Sequence, residues 1–259
     1  MIEPLLYAED LRLAFGPTQA LAGVDITIQA GEVVALLGQS GSGKSTLLHC
    51  LAGILRPDGG QVRYRGARLD AQSEEARSRL RRDEFGFVFQ FGSLVPELTA
   101  AENVALPLRL AGTKKRPAEA RAREWLARLG VPDVAGKRPG EMSGGQGQRV
   151  AVARALVGEP RVVFADEPTG ALDSLNGELV MDELMRAARA QGASVVLVTH
   201  EARIAAYADR EVVLHDGRIM APGPTDSGAW RGATSPESAG NRRQSERSEP
   251  ASSAPPAAL

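Results

Sequence analysis

Short runs of apolar residues recur along the chain and alternate with longer segments whose apolar positions follow a helical period. Four of these runs, at 33–37, 85–89, 161–165 and 195–198, have the length and composition of strands that are buried on both faces. Buried strands that alternate with helices are typical of a mainly parallel sheet. The pattern therefore predicts an α/β core.

Two stretches depart from this pattern. Within residues 1–32, Leu11–Phe15 and Val24–Ile28 alternate apolar and polar positions with turn residues between them, which predicts antiparallel β structure. Residues from about 94 to 158 carry helical patterns and few strand signals. We therefore expect an N-terminal antiparallel β subdomain and an α-helical subdomain inserted into the α/β core.

The C-terminal part of the chain changes character near residue 221. Glu211–Leu214 and Arg218–Ala221 flank His215-Asp216-Gly217, which predicts a β-hairpin because glycine tolerates a positive φ. From Pro222 to Leu259 the composition is dominated by Pro, Ser, Ala, Gly and charged residues, so little apolar material is present to fold. The sequence predicts one domain over 1–221 and a disordered tail.

Composition and charge narrow the class of protein. The 259 residues carry 31 basic and 32 acidic side chains, and this balance argues against a chain whose main task is to coat nucleic acid or an anionic membrane. The single cysteine, Cys50, excludes an intramolecular disulfide and fits a reducing compartment. No secretory signal pattern is visible, and the apolar runs are far shorter than the roughly 20 residues that span a bilayer. We expect a chain that does not itself cross a membrane.

A glycine-rich segment joins the first buried strand to a helical pattern. It reads Gly38-Gln39-Ser40-Gly41-Ser42-Gly43-Lys44-Ser45-Thr46, which is G-x-x-x-x-G-K-[ST] in its strand–loop–helix setting. The glycines let successive backbone N–H groups point at phosphate oxygens. Lys44 then reaches the β and γ phosphates and the Ser45 hydroxyl ligates Mg²⁺. The loop predicts nucleotide binding, but it does not choose between a kinase, a GTPase, a transport ATPase and a repair ATPase.

Polar residues follow the other buried-strand patterns. Asp166 and Glu167 lie at the carboxyl end of one strand, where parallel sheets bind ligands. Asp166 is predicted to hold the Mg²⁺ hydration shell, and Glu167 to polarise a water for attack on the γ-phosphate. His200 and Gln90 follow two further strands. Each alone is more often structural, but beside a phosphate loop His200 is a candidate γ-phosphate contact, and Gln90 a candidate contact to Mg²⁺ or the attacking water.

A second anion site is indicated by Ser143-Gly144-Gly145-Gln146, which precedes the helical run Gly147–Val157. A serine and two glycines before a helix leave backbone N–H groups and the positive end of the helix dipole available to a phosphate. An ordinary N-cap with a flexible loop explains the same residues equally well. Local sequence therefore leaves these two interpretations open.

Taken in order, these segments together with Ala171-Leu172-Asp173 resemble the complete motif series of an ABC-type ATPase domain over about residues 3–221. The resemblance implies a P-loop NTPase fold and a head-to-tail dimer of two copies. ATP would lie between residues 38–46 of one copy and residues 143–146 of the other.

The resemblance also implies roles for single residues. Glu167 would be the general base, and His200 would clamp the γ-phosphate. Gln90 would bind MgATP with the phosphate loop, and Asp173 would connect the two sites across the dimer. Phe15 would stack on adenine.

The segments around Gln90, 98–108 and 165–173 are similar to the lipoprotein-releasing, macrolide-efflux, antimicrobial-peptide-resistance and cell-division branch of that family. Members of this branch pair with a separate permease, and many export or extract amphipathic cargo. We therefore expect an ATPase subunit that works on an amphipathic or lipid-linked substrate. It would be held at the cytoplasmic face of the cell membrane by the permease, which contacts residues 91–108, and would have no nucleic-acid partner. An importer subunit, or a soluble ABC ATPase of DNA repair or translation, is the alternative.

Overall fold

The computed structural model describes residues 3–90, 93–170 and 172–220. Within these ranges the strands are β1 (Leu6–Phe15), β2 (Thr18–Ile28), β3 (Val33–Leu37), β4 (Gly59–Tyr64), β5 (Ala67–Arg68), β6 (Phe85–Phe89), β7 (Val162–Asp166), β8 (Ser194–Val198), β9 (Arg210–His215) and β10 (Arg218–Ile219). The α-helices are α1 (Lys44–Leu51), α2 (Glu74–Glu84), α3 (Ala100–Leu110), α4 (Lys115–Arg128), α5 (Gly144–Leu156), α6 (Ser174–Gln191) and α7 (Ala202–Ala205). The predicted disordered tail lies outside the described residues, as do Phe91, Gly92 and Ala171.

A six-stranded sheet forms the centre of the fold, in the order β10-β9-β3-β8-β7-β6. All its neighbouring strands are parallel except β9 and β10. Strands β3, β7 and β8 are almost wholly buried because helices cover one face, and α1 with the antiparallel strands covers the other, which is why their sequences are continuous apolar runs. Parallel pairing brings the carboxyl ends of β3, β6, β7 and β8 to one edge of the sheet. The predicted α/β fold with a mainly parallel sheet is confirmed.

A separate four-stranded antiparallel sheet has the order β2-β1-β4-β5. Its first two strands include both predicted segments and pair over most of their length. The sequence pattern did not identify β4 and β5. Strand β4 starts with Gly59 and Gly60, and Gly60 lies against the backbone of Asp10, where the register of β1 shifts. This irregularity breaks the alternation by which a strand is predicted from sequence.

Helices α3, α4 and α5 lie between β6 and β7 in the chain and pack around buried Val104, Trp125, Leu126 and Val150. Helix α5 begins at Gly144, three residues earlier than the sequence pattern predicts. The early start is stabilised at its N-terminus by the side chain of Ser143, which accepts a hydrogen bond from the Gln146 N–H. None of the helices in the described ranges is long and apolar enough to cross a membrane.

The predicted C-terminal hairpin is formed by β9 and β10, with Arg218 opposite His215. Strand β9 extends one residue further at each end than the predicted Glu211–Leu214. Asp216 and Gly217 alone therefore form the turn. Both have a positive φ, of 46° and 70°. A two-residue turn with two positive φ angles matches the twist of the strands that it joins.

Candidate functional site

The phosphate loop runs from the end of β3 into α1 and is closely packed against neighbouring backbone. Gly38 and Gly43 have φ angles of 148° and 102°. A Cβ at Gly38 would overlap the Leu214 carbonyl oxygen, and one at Gly43 would overlap the Ala20 carbonyl oxygen. Only glycine fits both the backbone angles and the space at these positions. Helix α1 has no side-chain cap, so its first N–H groups are available at the loop.

Lys44 lies across this loop with only 6% of its surface exposed. Its Nζ donates hydrogen bonds to the carbonyl oxygens of Gly38 and Gln39, at 2.9 and 2.8 Å. These two bonds hold the ammonium group at the centre of the loop. A buried positive charge at the uncapped start of a helix is a site for an anion such as a phosphate.

Oxygen-bearing side chains from three elements line a cavity of about 380 Å³ beside the loop. The Ser45 hydroxyl of α1 donates to Oδ1 of Asp166, at the end of β7, over 3.2 Å. Gln90, which follows β6, and Glu167 line the same cavity. Burial raises the pKa of the Asp166 carboxyl, and the hydrogen bond from Ser45 opposes the rise. Hydroxyl, carboxylate and amide oxygens are ligands that suit Mg²⁺.

Glu167 and His200 meet at the same edge of the sheet. The Nδ1 atom of His200 lies 3.1 Å from Oε1 of Glu167. The backbone N–H of Glu167 donates to the Val198 carbonyl oxygen at 2.9 Å, which fixes the end of β7 against the end of β8. Glu167 has a φ of 45°, a left-handed conformation that is uncommon outside glycine. Strain of this kind is concentrated at functional sites, where the surrounding structure holds it in place.

Gln90 lies against the turn that follows Glu167. A Cβ at Gly170 would lie 2.7 Å from Nε2 of Gln90, so the glycine provides the space that the amide occupies. The turn is closed by a hydrogen bond from the Gly170 N–H to the Glu167 carbonyl oxygen. Gln90 therefore contacts the segment that carries both acidic residues.

A second group of predicted residues is formed at the starts of α5 and α6. Ser143 and Gln146 make a reciprocal capping box at the start of α5. The carboxylate of Asp173 accepts hydrogen bonds from the backbone and side-chain nitrogens of Asn176, at 3.0 and 2.7 Å, and caps α6. These hydrogen bonds, the backbone one first, lower the pKa of Asp173. Asn176 also lies beside Gly145, so the two helix starts are in contact.

The structure thus separates the predicted residues into two groups. Lys44, Ser45, Gln90, Asp166, Glu167 and His200 surround the phosphate loop and its cavity. Ser143–Gln146 and Asp173 form the second group. Phe15 belongs to neither group: it ends β1 with 53% of its surface exposed, as a ring available for stacking would be.

Sequence reasoning missed polar residues whose hydrogen bonds hold the backbone on either side of Gln90. Gln148 of α5 donates from Nε2 to the Phe89 carbonyl oxygen at 3.1 Å. Asn103 of α3 is fully buried and bonds the backbone of Val95 and Leu98. Arg154 of α5 donates to the Ser93 carbonyl oxygen. A polar residue on the apolar face of a helix was the available signal for Gln148.

Comparison with known proteins gives the family of the chain. Residues 21–170 match the family profile described as ABC transporter. The chain is 46% identical over 223 residues to the lipoprotein-releasing system ATP-binding protein LolD 2 of Caulobacter vibrioides, which covers 85% of this chain and 98% of that protein. It is 43% identical over 230 residues to the macrolide export ATP-binding/permease protein MacB of Nitrosomonas europaea, covering 87% of this chain and 35% of that protein.

A solved structure of an ATP-binding cassette is also similar to this chain. The dimeric post-hydrolysis state of the ATP-binding cassette MJ0796, bound to ADP and Pi, is 36% identical to this chain, with a TM-score of 0.77, over 83% of this chain and 96% of that one. The fold, the family match and these relatives define an ATP-binding, ATP-hydrolysing domain. The chain belongs to the ABC transporter family. The predicted family, branch and ATPase activity are confirmed.

Proposed function

We propose that the chain is the ATP-hydrolysing subunit that drives export or extraction of an amphipathic or lipid-linked substrate through a separate permease. The observation that carries this proposal is the similarity itself: the chain is 46% identical to a lipoprotein-releasing ATP-binding protein over 98% of that protein's length. This similarity supports an ATPase subunit that works with a separate permease. Importer and soluble ATPase functions are not favoured by these relatives.

For hydrolysis, Glu167 accepts a proton from the attacking water and His200, 3.1 Å away, fixes the direction of its carboxylate. Lys44 and the loop N–H groups bind the phosphates. Ser45, Asp166 and Gln90 have the oxygen donors and the shared cavity needed to hold Mg²⁺. Mg²⁺ held by these residues would neutralise charge on the β and γ phosphates.

We further propose that a second copy completes the site. The start of α5 presents N–H groups and the positive end of the helix dipole, which suit a phosphate. The related cassette MJ0796 is described as dimeric. A head-to-tail pair would place Ser143–Gln146 of one copy on the γ-phosphate held by the other, with Asp173 beside the contact.

The permease is proposed to dock in a groove of about 400 Å³ between α2, β6, α3 and α5. Its apolar lining includes Phe87, Leu106 and Leu110, the last of which is 63% exposed, and its rim carries Arg82. An apolar groove with a basic rim fits a short amphipathic segment of a partner chain. Docking there would hold the domain 1–221 at the cytoplasmic face of the membrane, with 222–259 as a tail.

The test is Glu167→Gln in the full chain. ATP binding should be retained, steady-state hydrolysis should fall by roughly 10²–10⁴-fold, and an ATP-dependent dimer should accumulate in size-exclusion chromatography. Glu159→Gln is the matched control, because Glu159 also has a positive φ, of 55°, but is exposed and remote from the cavity. Near-normal turnover of Glu167→Gln would overturn the assignment of the base.

The transport partner is tested by purifying tagged Glu167→Gln protein with ATP from its native membranes. Recovery of a permease with a large extracytoplasmic domain is expected. Recovery of soluble nucleic-acid machinery instead would favour the soluble ATPase alternative.

A further inference from the structure

A buried amide of α5 holds the residue that precedes Gln90. Gln148 is 3% exposed, and its Nε2 donates to the carbonyl oxygen of Phe89, the last residue of β6, at 3.1 Å. The neighbouring buried positions of this helix, such as Ala151, Val152 and Ala155, are apolar. A polar group in such surroundings destabilises the fold unless it is hydrogen-bonded, so the amide is held in this contact.

Two other contacts connect α5 to the same part of the chain. At the second residue of β6, a Cβ on Gly86 would overlap the Ala155 carbonyl oxygen, so strand and helix touch backbone to backbone. Beyond Gln90, the Arg154 guanidinium donates to the Ser93 carbonyl oxygen at 2.8 Å. Helix α5 is therefore fixed to the chain at the start of β6, at its end, and after Gln90.

The same helix carries the proposed second anion site at its N-terminus. Ser143 caps α5, and Gln148 lies about one turn into the helix. A 13-residue helix spans about 20 Å and moves as a rigid rod on the scale of these contacts. The hydrogen bond from Gln148 thus connects the N-terminal turn of α5 directly to the backbone that carries Gln90 into the phosphate cavity.

We infer that Gln148 is a positioning residue, which acts through the Phe89 carbonyl oxygen to fix Gln90 relative to the N-terminal turn of α5. This inference rests on the proposed function of Gln90 and of Ser143–Gln146. When Gln90 contacts bound nucleotide, the hydrogen bond from Gln148 makes the start of α5 follow the position of Gln90. Residues 143–146 are thereby placed to contact the second copy when the chain's own site holds nucleotide.

The chain offers a matched control. Gln191 of α6 also donates from Nε2 to a backbone carbonyl oxygen of α5, that of Leu156, at 3.1 Å. Gln148→Met and Gln191→Met each remove one amide-to-carbonyl hydrogen bond to or from the same helix and keep an unbranched side chain of similar length. The two variants should lower the midpoint of thermal unfolding by similar amounts, so that stability alone does not distinguish them.

Steady-state hydrolysis and ATP-dependent dimer formation do distinguish them. Gln148→Met should lower kcat by roughly five- to tenfold and raise the ATP concentration needed for dimer formation, while the affinity of the monomer for ATP changes less than about twofold. For Gln191→Met, kcat, the ATP concentration needed for dimer formation and the affinity of the monomer for ATP should each stay within about twofold of the values for the unmodified chain. Gln148→Leu is measured in parallel, so that the result does not depend on one replacement. Equal behaviour of the Gln148 and Gln191 variants would overturn the inference.

A double-mutant comparison separates positioning from a purely structural role. If Gln148 acts through Gln90, then Gln148→Met in a Gln90→Ala background should change the residual kcat by less than about twofold. The same five- to tenfold loss in both backgrounds would contradict the inference. Failure of the proposed function is recognised separately, because it would leave Glu167→Gln active whatever the Gln148 variants do.

Discussion

The Nδ1 atom of His200 lies 3.1 Å from Oε1 of Glu167, although the two residues follow different strands. The contact arises because β7 and β8 are parallel and in register up to Asp166 and Val198. One residue further on, the Glu167 N–H is bonded to the Val198 carbonyl oxygen. The pair is thus set by the pairing of two buried strands in the sheet.

We expect His200→Ala to lower kcat by roughly 100-fold with little change in KM, because the Glu167 carboxylate loses the group that directs it. Combined with Glu167→Gln, it should cause little further loss, since the two residues act as a unit. Steady-state hydrolysis of the single and double variants checks this. His215→Ala is the control, because Nδ1 of His215 also lies near a carboxylate, that of Asp216 at 3.3 Å, away from the cavity. Full additivity would contradict a joint role.

Two capping boxes of the same design allow stability and activity to be separated. Thr99 with Glu102 caps α3 as Ser143 with Gln146 caps α5. Each alanine variant, Thr99→Ala and Ser143→Ala, should lower the free energy of unfolding by about 1 kcal/mol. Only Ser143→Ala should also weaken ATP-dependent dimer formation of the Glu167→Gln chain. Denaturant unfolding and size-exclusion chromatography measure the two effects, and equal dimer formation in both would argue against a phosphate site at α5.

Asp166→Asn should raise the Mg²⁺ concentration required for hydrolysis by roughly tenfold or more, because a charged oxygen donor is replaced by a neutral one. Since burial raises the pKa of the Asp166 carboxyl, protons compete with the metal at a higher pH than for an exposed aspartate, and the Mg²⁺ requirement should increase as the pH falls. Hydrolysis titrated with Mg²⁺ at several pH values checks both. Nucleotide binding in EDTA is the reference and should be unchanged.

Phe15→Ala should weaken ATP binding by roughly fivefold, because stacking on an aromatic ring contributes about 1 kcal/mol. Phe15→Tyr should keep the affinity within about twofold, since it retains the ring. Leu110→Ala is the control, because Leu110 is also an exposed apolar residue but lies on α3, remote from the phosphate loop. Binding of a fluorescent ATP analogue measures all three. Unchanged affinity of Phe15→Ala for the ATP analogue would show that the Phe15 ring does not contact the nucleotide.

Cys50 should be unreactive in the folded chain. It is buried in α1, and burial raises the pKa of its thiol to about 12. Near pH 8 the thiolate fraction is then roughly a thousandfold below that of an ordinary cysteine. Labelling with a thiol reagent should therefore proceed only with unfolding and should report opening of α1. Rapid labelling under native conditions would show that α1 opens without global unfolding.

The parts that sequence predicted well are those in which one local pattern determines the structure. The buried strands and the phosphate loop follow from continuous apolar runs and from glycines that no other residue can replace. The parts that it missed depend on distant partners. Strand β4 is recognisable only beside the irregular part of β1, and the start of α5 depends on a capping bond that overrides two glycines. The role of Gln148 is visible only when Phe89 is placed next to it.

The backbone contact between Gly86 and Ala155 has a consequence for how this sequence can vary. Because even one methyl group at position 86 would overlap a main-chain oxygen, no change of side chain at Ala155 can compensate for it. In a saturation-mutagenesis library selected for function, we expect Gly86 to be as intolerant of substitution as Lys44, although it touches no nucleotide. The intolerance at position 86 would then reflect the close backbone contact between β6 and α5, and not the chemistry of hydrolysis.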